Sequence, residues 1–145
     1  MPATVQIVEK NGVGGTVTDK TSGSIRFKNA DNSTVDFVNP LVKPGAGFDF
    51  SFEKWLRLNV TGGTYSQITN VGAFSDGANG MGTGVDLFAK AVTAYATGAR
   101  LSLGAGPFTG TGEKGDHLVM ICRIGTTVAG GLTPSETLNI GWDEI

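Results

Sequence analysis

The side chains with the most chemical potential in this sequence are a single histidine and the aspartate before it. His117 follows Asp116 and is the only histidine among 145 residues. One imidazole excludes a metal site built from several histidines, and a Ser-His-Asp triad would have to use this one as its base. The nucleophile-elbow sequence G-x-S-x-G is absent. We therefore interpret His117 as a histidine at the start of an apolar strand, capping the core, and we predict no catalytic residue and no enzyme.

Two glycine-rich segments have the composition of cofactor or metal loops, but their surroundings argue against both functions. Residues 110–115 (GTGEKG) match G-x-G-x-x-G, a motif that needs a strand before it and a helix after it. Here a loop precedes the motif and the apolar run 117–124 follows it. Asp76, Asn79 and Asp86 flank another glycine-rich loop and have the oxygen ligands that Ca²⁺ prefers, but their spacing matches no calcium motif. We predict no cofactor and no metal.

Cys122 is the only cysteine, and it lies within the apolar run 117–124 (HLVMICRI). This run has the length and composition of a central core strand. A buried thiol in such a strand behaves as a small hydrophobic group, and a chain with one cysteine forms no internal disulfide. Cys122 is therefore expected to pack in the core rather than to react.

The composition limits the classes of partner. Lys and Arg number 11 against 13 Asp and Glu, with both signs scattered, so we expect no patch for nucleic acid or an anionic membrane. No apolar run approaches membrane-spanning length and no signal peptide opens the chain, so we expect synthesis in a cytoplasm. The 23 glycines favour many turns, and therefore β-structure.

The longest strand pattern in the chain lies between Ser51 and Asp76. It predicts two strands joined by Gly62-Gly63, a dipeptide that supplies the positive φ angles of a tight hairpin turn. One face of the first strand is apolar except for Lys54, and the other face is polar except for an indole. The apolar face comprises Phe52, Leu56, Leu58 and Val60, and the polar face comprises Glu53, Trp55, Arg57, Asn59 and Thr61.

This hairpin holds the candidate interface residues. With a two-residue turn, Arg57 would lie opposite Ile68 and Trp55 opposite Asn70. Trp, Tyr and Arg are the residue types enriched at binding hot spots. The alternative is a two-sheet core in which both faces of the hairpin are simply covered. We predict an interface formed by Trp55, Arg57, Tyr65 and Ile68.

Short strands separated by turn signals account for the rest of the chain. We predict strands at 5–10, 16–20, 24–28, 34–38, 85–96, 117–124 and 136–142, with one hairpin joining the first two and another joining the next two. Residues 98–115 are predicted to form a loop region that encloses a short segment at 101–103. Residues 39–47 contain two prolines and are predicted to form a Pro/Gly-rich connection, and residues 1–4 an N-terminal arm. We therefore expect one all-β domain over residues 1–145, an antiparallel β-sandwich or jelly roll.

The segments EKWLRLNVTGG, SQITNVGAFSDGANGMGTGV and SETLNIGWDEI together resemble small virion structural proteins of tailed bacteriophages. The capsid decoration, or cement, class is similar in size and in its Gly/Thr-rich β-character. The resemblance implies a β-sandwich or jelly-roll homotrimer that binds the major capsid protein lattice, or other virion proteins, and stiffens the phage head. It also implies that the protein, made in the host cytoplasm, ends up in the virion.

The sequence is also compatible with other functions. Tail and head–tail structural proteins of phages have the same Gly/Thr-rich β-character. A jelly-roll carbohydrate-binding module would stack Trp55 and Tyr65 on sugar rings, with Asp76 or Asn79 supplying hydrogen bonds or a calcium site. An enzyme would depend on His117 and scattered carboxylates, and this hypothesis ranks last.

Overall fold

The computed structural model describes residues 2–11, 16–36, 38–75, 83–89, 101–129 and 138–145. Over these residues the chain forms nine β-strands and no helix. The strands are β1 Ala3–Glu9, β2 Thr18–Asp19, β3 Phe48–Phe50, β4 Lys54–Gly63, β5 Ile68–Ser75, β6 Val85–Ala89, β7 Leu101–Gly104, β8 Gly112–Gly125 and β9 Leu138–Glu144.

The strands form two antiparallel sheets. The six-stranded sheet has the order β2-β1-β4-β8-β3, with β6 also paired to β8, and the three-stranded sheet has the order β7-β5-β9. Side chains of both sheets contribute to one hydrophobic core. The prediction of an all-β antiparallel sandwich is confirmed, whereas the more specific jelly-roll arrangement is not.

The central strand of the larger sheet is β8, as the apolar run 117–124 predicts. Its first half pairs with β4, and its last residues pair with β3 and with β6. Burial alternates along the strand, so that one side of the run lies in the core while Val119 and Ile121 are only half-buried. The core residues of this strand are Leu118, Met120, Cys122 and Ile124.

Strand β4 also has the predicted faces. Leu56 and Leu58 have no exposed surface, and Val60 has 1%. The three-stranded sheet meets them with Ile68, Val71 and Leu103, because alternation in each strand directs one set of side chains between the sheets.

The predicted hairpin between β4 and β5 is wrong. Strand β4 pairs with β1 and β8, whereas β5 pairs with β7 and β9 in the other sheet. Gly62 and Gly63 lie opposite Thr4 and Ala3 of β1 instead of forming a turn. Gly63 has a φ of 92°, and a Cβ atom there would collide with the carbonyl oxygen of Pro2. Gly63 therefore permits close approach of two strands, a use of glycine that has the same sequence signature as a turn, whereas a Cβ atom at Gly62 would meet open space.

The N-terminal region differs in part from its prediction. The first hairpin is confirmed, since Val8 pairs with Asp19 and Glu9 with Thr18. However, Ala3 and Thr4 are the first residues of β1, so the expectation of an arm over residues 1–4 is wrong for these two. Sheet hydrogen bonding at Gly62 and Gly63 holds them in place.

The second predicted hairpin, 24–28 with 34–38, does not form in the described residues. The chain there is irregular, and side-chain hydrogen bonds replace a strand ladder: Asn32 Oδ1 accepts from the Thr34 amide and from Lys28 Nζ. Lys28 is 2% exposed, and its ammonium lies 2.6 Å from Asp36 Oδ1. That hydrogen bond is the main cause that lowers the pKa of Asp36. The segment still contributes to the core through Ile25 and Phe27.

Residues 39–47 contain no strand, in keeping with a connection. Strand β6 begins at Val85 as predicted, while residues 90–96 of that prediction lie outside the described residues. The predicted loop region 98–115 is wrong where the short segment 101–103 forms strand β7 and where residues 112–115 belong to β8. Strand β9 ends two residues beyond the predicted segment 136–142, and residues 136–137 lie outside the described chain.

A buried ion pair stands at one end of the inner face of β4. Lys54 and Glu9 are each about 1% exposed, and Lys54 Nζ lies 3.4 Å from Glu9 Oε2. The same carboxylate oxygen accepts a hydrogen bond from Asn11 Nδ2 at 2.8 Å, and Lys54 Nζ also donates to the carbonyl of Asn32. Glu9 Oε1 has no hydrogen-bond partner within the described residues. The pair therefore ties residues 28–36 to the sheet at a substantial desolvation cost.

Candidate binding surface

The outer face of the six-stranded sheet, defined as the face turned away from the three-stranded sheet, carries the candidate surface. Trp55 and Arg57 of β4 project from it because their neighbours Leu56 and Leu58 fill the core. Trp55 is in register with Val119 of β8. The antiparallel pairing thus places side chains of separate strands side by side on this face.

Three phenylalanines form an aromatic row beside this face. Phe48, Phe50 and Phe52 are 51%, 51% and 46% exposed. Phe48 and Phe50 share one side of β3 because they are two residues apart. Phe52 follows a break in the strand, since the register shifts between the pair Phe50–Arg123 and the pair Lys54–Met120.

Ser51 is the residue that fixes this break. It is 7% exposed, its Oγ accepts a hydrogen bond from the Cys122 amide, and it donates to the Phe52 carbonyl. The expectation that Phe52 lies on the core face is therefore wrong. Alternation counted without the break assigns it to the wrong side of the sheet.

A shallow, open depression of about 440 Å³ lies at the junction of the aromatic row and β4. Trp55 forms part of its wall, and its indole Nε1 donates to Glu53 Oε2 at 2.8 Å. The Trp55 amide donates to Asn11 Oδ1 at 3.1 Å, and this hydrogen bond holds Asn11 beside the indole. The lining residues are Asn11, Asp31, Phe50, Ser51, Phe52, Glu53, Trp55 and Ile121.

His117 lies on the outer face and not at the start of a strand. Between Leu56 and Leu58 of β4 there is one residue, whereas the facing segment of β8 has three, residues 115–117, so β8 bulges there. Arg57 Nε donates to the Gly115 carbonyl at 2.7 Å and so spans the bulge. The imidazole packs on the Trp55 indole with ring centroids 5.3 Å apart. Partial burial, followed by the nearby Arg57 cation, lowers the pKa of His117.

The four predicted interface residues do not form one site. Trp55 and Arg57 share the outer face, but Ile68 has no exposed surface and pairs with Glu144 in the other sheet. Tyr65 is half-buried against the core, and its hydroxyl donates to the Gly110 carbonyl beyond the far end of β4. The register that placed Ile68 opposite Arg57 and Trp55 opposite Asn70 is wrong because β4 and β5 belong to different sheets.

The remaining sequence candidates that the structure describes have structural roles. Burial, and then the nearby Asp86 carboxylate, raises the pKa of the Cys122 thiol to about 12. Gly112 to Gly115 belong to strand β8 rather than to a phosphate-binding loop. Asp86 Oδ2 accepts from Arg123 Nε at 3.0 Å. Asp76 and Asn79 lie outside the described residues, and in the rest of the chain no group of three metal-ligating side chains occurs.

One further contact connects the aromatic row to β8. The Arg123 guanidinium lies over the Phe48 ring, 4.0 Å from its centroid. Sequence reasoning missed this contact, the aromatic row and Asp31. The alternation of Phe48, Phe50 and Phe52 in FDFSF was the available signal, obscured because phenylalanine usually marks a core face.

Comparison of the chain with protein-family models, with curated proteins and with solved structures found no match. Among the described residues there is also no helix with the length and apolar character needed to cross a membrane.

Proposed function

We propose that the protein is a non-enzymatic structural protein of a bacteriophage particle, specifically a capsid decoration protein that binds the assembled head through the outer face of its larger sheet. The sequence resemblance suggests the particle, and the distribution of exposed apolar residues suggests the surface. The protein acts by adhesion, without making or breaking bonds.

One observation carries this proposal. Eight large apolar side chains of the described residues are 46% to 70% exposed, and six of them fall between residues 35 and 52. Exposed apolar residues scattered singly need no explanation, but a contiguous exposed patch is typical of an interaction site. Phe48 and Phe50 are in ring contact, and Phe50 and Phe52 line the same depression, so the three phenylalanines form such a patch. The six are Val35, Val38, Val42, Phe48, Phe50 and Phe52.

The surface is also held in a fixed shape, which favours binding. Strand β3 is paired with β8, Ser51 is bonded to the Cys122 amide, and the Trp55 indole is bonded to Glu53. Side chains that are already ordered lose less conformational entropy when a partner covers them. Burying one exposed phenylalanine ring contributes roughly 1.5–3 kcal/mol at most.

We propose a homotrimer that engages the major capsid protein lattice, with no nucleic acid or membrane partner. Three copies of one modest contact provide avidity without a large single interface. In this proposal the connection 39–47, which includes the exposed Val42, takes part in subunit or lattice contacts.

The test uses purified protein and phage heads that lack it, prepared from the phage whose genome carries the gene. Light scattering coupled to size exclusion should give three times the monomer mass of 15.0 kDa. Co-sedimentation with heads should saturate at a fixed number of copies per head. A monomeric protein that does not co-sediment with heads would refute the proposal. Binding to tails but not heads would instead support the tail-protein alternative.

A carbohydrate-binding module is the second candidate, favoured by the mixture of aromatic and polar groups in the depression. Its aromatic residues would be Trp55, Phe50 and Phe52, because Tyr65 lies beyond the opposite end of β4. Saturable binding on a glycan array that is lost in Trp55→Ala would support this candidate. Absence of binding to any glycan on the array would refute it.

A further inference from the structure

The depression combines aromatic rings with negative charge. Phe50, Phe52 and Trp55 supply three rings, and Asp31 and Glu53 supply two carboxylates. None of the eight lining residues is a lysine or an arginine. Within the described chain, neither carboxylate forms an ion pair. The lining is therefore complementary to a cation that has an apolar or planar body.

The same molecule contains a filled arrangement of this kind nearby. Arg123 stacks on Phe48 with its guanidinium carbon 4.0 Å from the ring centroid, and its Nε donates to Asp86 Oδ2 at 3.0 Å. Ring, guanidinium and carboxylate thus form one unit at this end of the aromatic row. The depression at the other end of the row has the ring and the carboxylate but lacks the guanidinium.

We propose that the depression binds an arginine side chain presented by the partner protein. A planar guanidinium stacks on aromatic faces and bonds carboxylates bidentately, which a lysine ammonium does not do. This inference rests on the proposed function for the identity of the partner, which is a protein of the virion lattice. It adds the chemical group that the surface recognises.

The ring wall is oriented before the arginine arrives. The indole of Trp55 is held by Glu53 on one edge, and the imidazole of His117 packs against it. Glu53 Oε2 accepts the indole hydrogen bond, so Glu53 Oε1 and the Asp31 carboxylate are the groups that would receive the guanidinium. Restricting Trp55 in advance lowers the entropy cost of binding.

The test is a titration of ¹⁵N-labelled protein with the capped tripeptide Ac-Gly-Arg-Gly-NH2. The chain has two tryptophans, so two indole N–H resonances report separately. We expect the Trp55 resonance to shift saturably, in the range up to about 20 mM expected when a cation–π contact is combined with a charge-assisted hydrogen bond to a carboxylate. The Trp142 resonance should not move. The matched neutral peptide, with citrulline replacing arginine, should shift Trp55 at least about fivefold less because it lacks the charge.

Two variants make the result specific. Glu53→Gln keeps an acceptor for the indole but removes the charge, and with Asp31→Asn it should weaken arginine binding about tenfold or more. The control is Glu144→Gln, because Glu144 accepts from the Trp142 indole across the same two-residue spacing. That variant should bind the arginine peptide normally.

Four results would overturn this proposal: no shift of Trp55, equal shifts with arginine and citrulline, equal affinity in the Glu53→Gln/Asp31→Asn variant, or a Trp55 resonance that changes only with protein concentration, as a second copy in the depression would cause. The proposed function fails separately. If the peptide causes no shift of the Trp55 resonance while the protein still binds heads, the arginine site alone is refuted. If the peptide binds but the protein does not bind heads, the site is supported and the decoration role is refuted.

Discussion

The two faces of the six-stranded sheet differ in how far their side chains are buried. On the inner face, Leu56, Leu58 and Leu118 have no exposed surface, and even the charged Lys54 is buried with a partner. On the outer face, Trp55 is only partly covered, and Phe50 in the adjoining row is half exposed. The inner face is determined by closure of the sandwich, whereas the described part of the outer face ranges from the buried Val8, opposite Arg57, to the half-exposed Phe50.

This difference separates stability from function within one strand. Along β4, alternate residues belong to the core and to the candidate surface. Substitutions at neighbouring positions should therefore affect unfolding or binding, but seldom both.

The largest effect is expected at the buried ion pair. Lys54→Met leaves the Glu9 carboxylate buried without its cation, which typically costs about 3–5 kcal/mol of unfolding free energy. Urea denaturation followed by tryptophan fluorescence measures the loss. The double variant Glu9→Gln/Lys54→Met should recover much of it. A single variant within about 1 kcal/mol of wild type would mean that the pair is solvated and not buried.

A slightly smaller effect is expected in the apolar core. Leu58→Ala should lower the unfolding free energy by about 2–5 kcal/mol, because a fully buried leucine leaves a cavity. Phe50→Ala, at a half-exposed position of the aromatic row, should change it by less than about 1 kcal/mol. The midpoints of the two urea transitions are compared. Equal losses of unfolding free energy in the two variants would contradict a difference in burial between the faces.

The smallest effect concerns the only histidine. The lowered pKa of His117 means that the folded protein binds the proton less readily than the unfolded chain does. Stability should therefore be complete above the ordinary histidine pKa of 6.5 and should fall as pH drops from there through the lowered pKa. Unfolding free energies at several pH values between 7.5 and 5 would check this, and His117→Gln should flatten the dependence. The same slope in that variant would assign the effect to other groups.

Much of the fold was predictable because burial imposes periodicity. The faces of β4 and the central position of β8 follow from alternation, since a slip of one residue would turn every core side chain outward. The pairing of strands was less predictable. Gly62 and Gly63 match a turn signal, but both pair with β1, and Gly63 permits the close approach of that strand. No local pattern distinguishes these two uses of glycine.

The candidate surface was predictable only in part. Trp55 and Arg57 were identified by residue type and alternation, but Ile68 was assigned to the surface through a strand pairing that does not form. Phe50 and Phe52 were missed because the break at Ser51 reverses the alternation, and it depends on a hydrogen bond from the distant Cys122 amide. Alternation placed Lys54 on the core face, but its partner could not be identified, because Glu9 lies 45 positions away in the sequence.

The most direct test of the central idea, that the outer face serves adhesion and the inner face stability, is co-sedimentation of a Phe50→Ala/Trp55→Ala variant with phage heads. The control is Ile145→Ala, which removes an apolar side chain that is 70% exposed and follows β9 in the other sheet. We predict that the double variant loses about tenfold or more in head affinity, as hot-spot aromatics do, while its urea midpoint stays near that of wild type. Undiminished binding of the double variant, or binding lost equally by Ile145→Ala, would contradict the account.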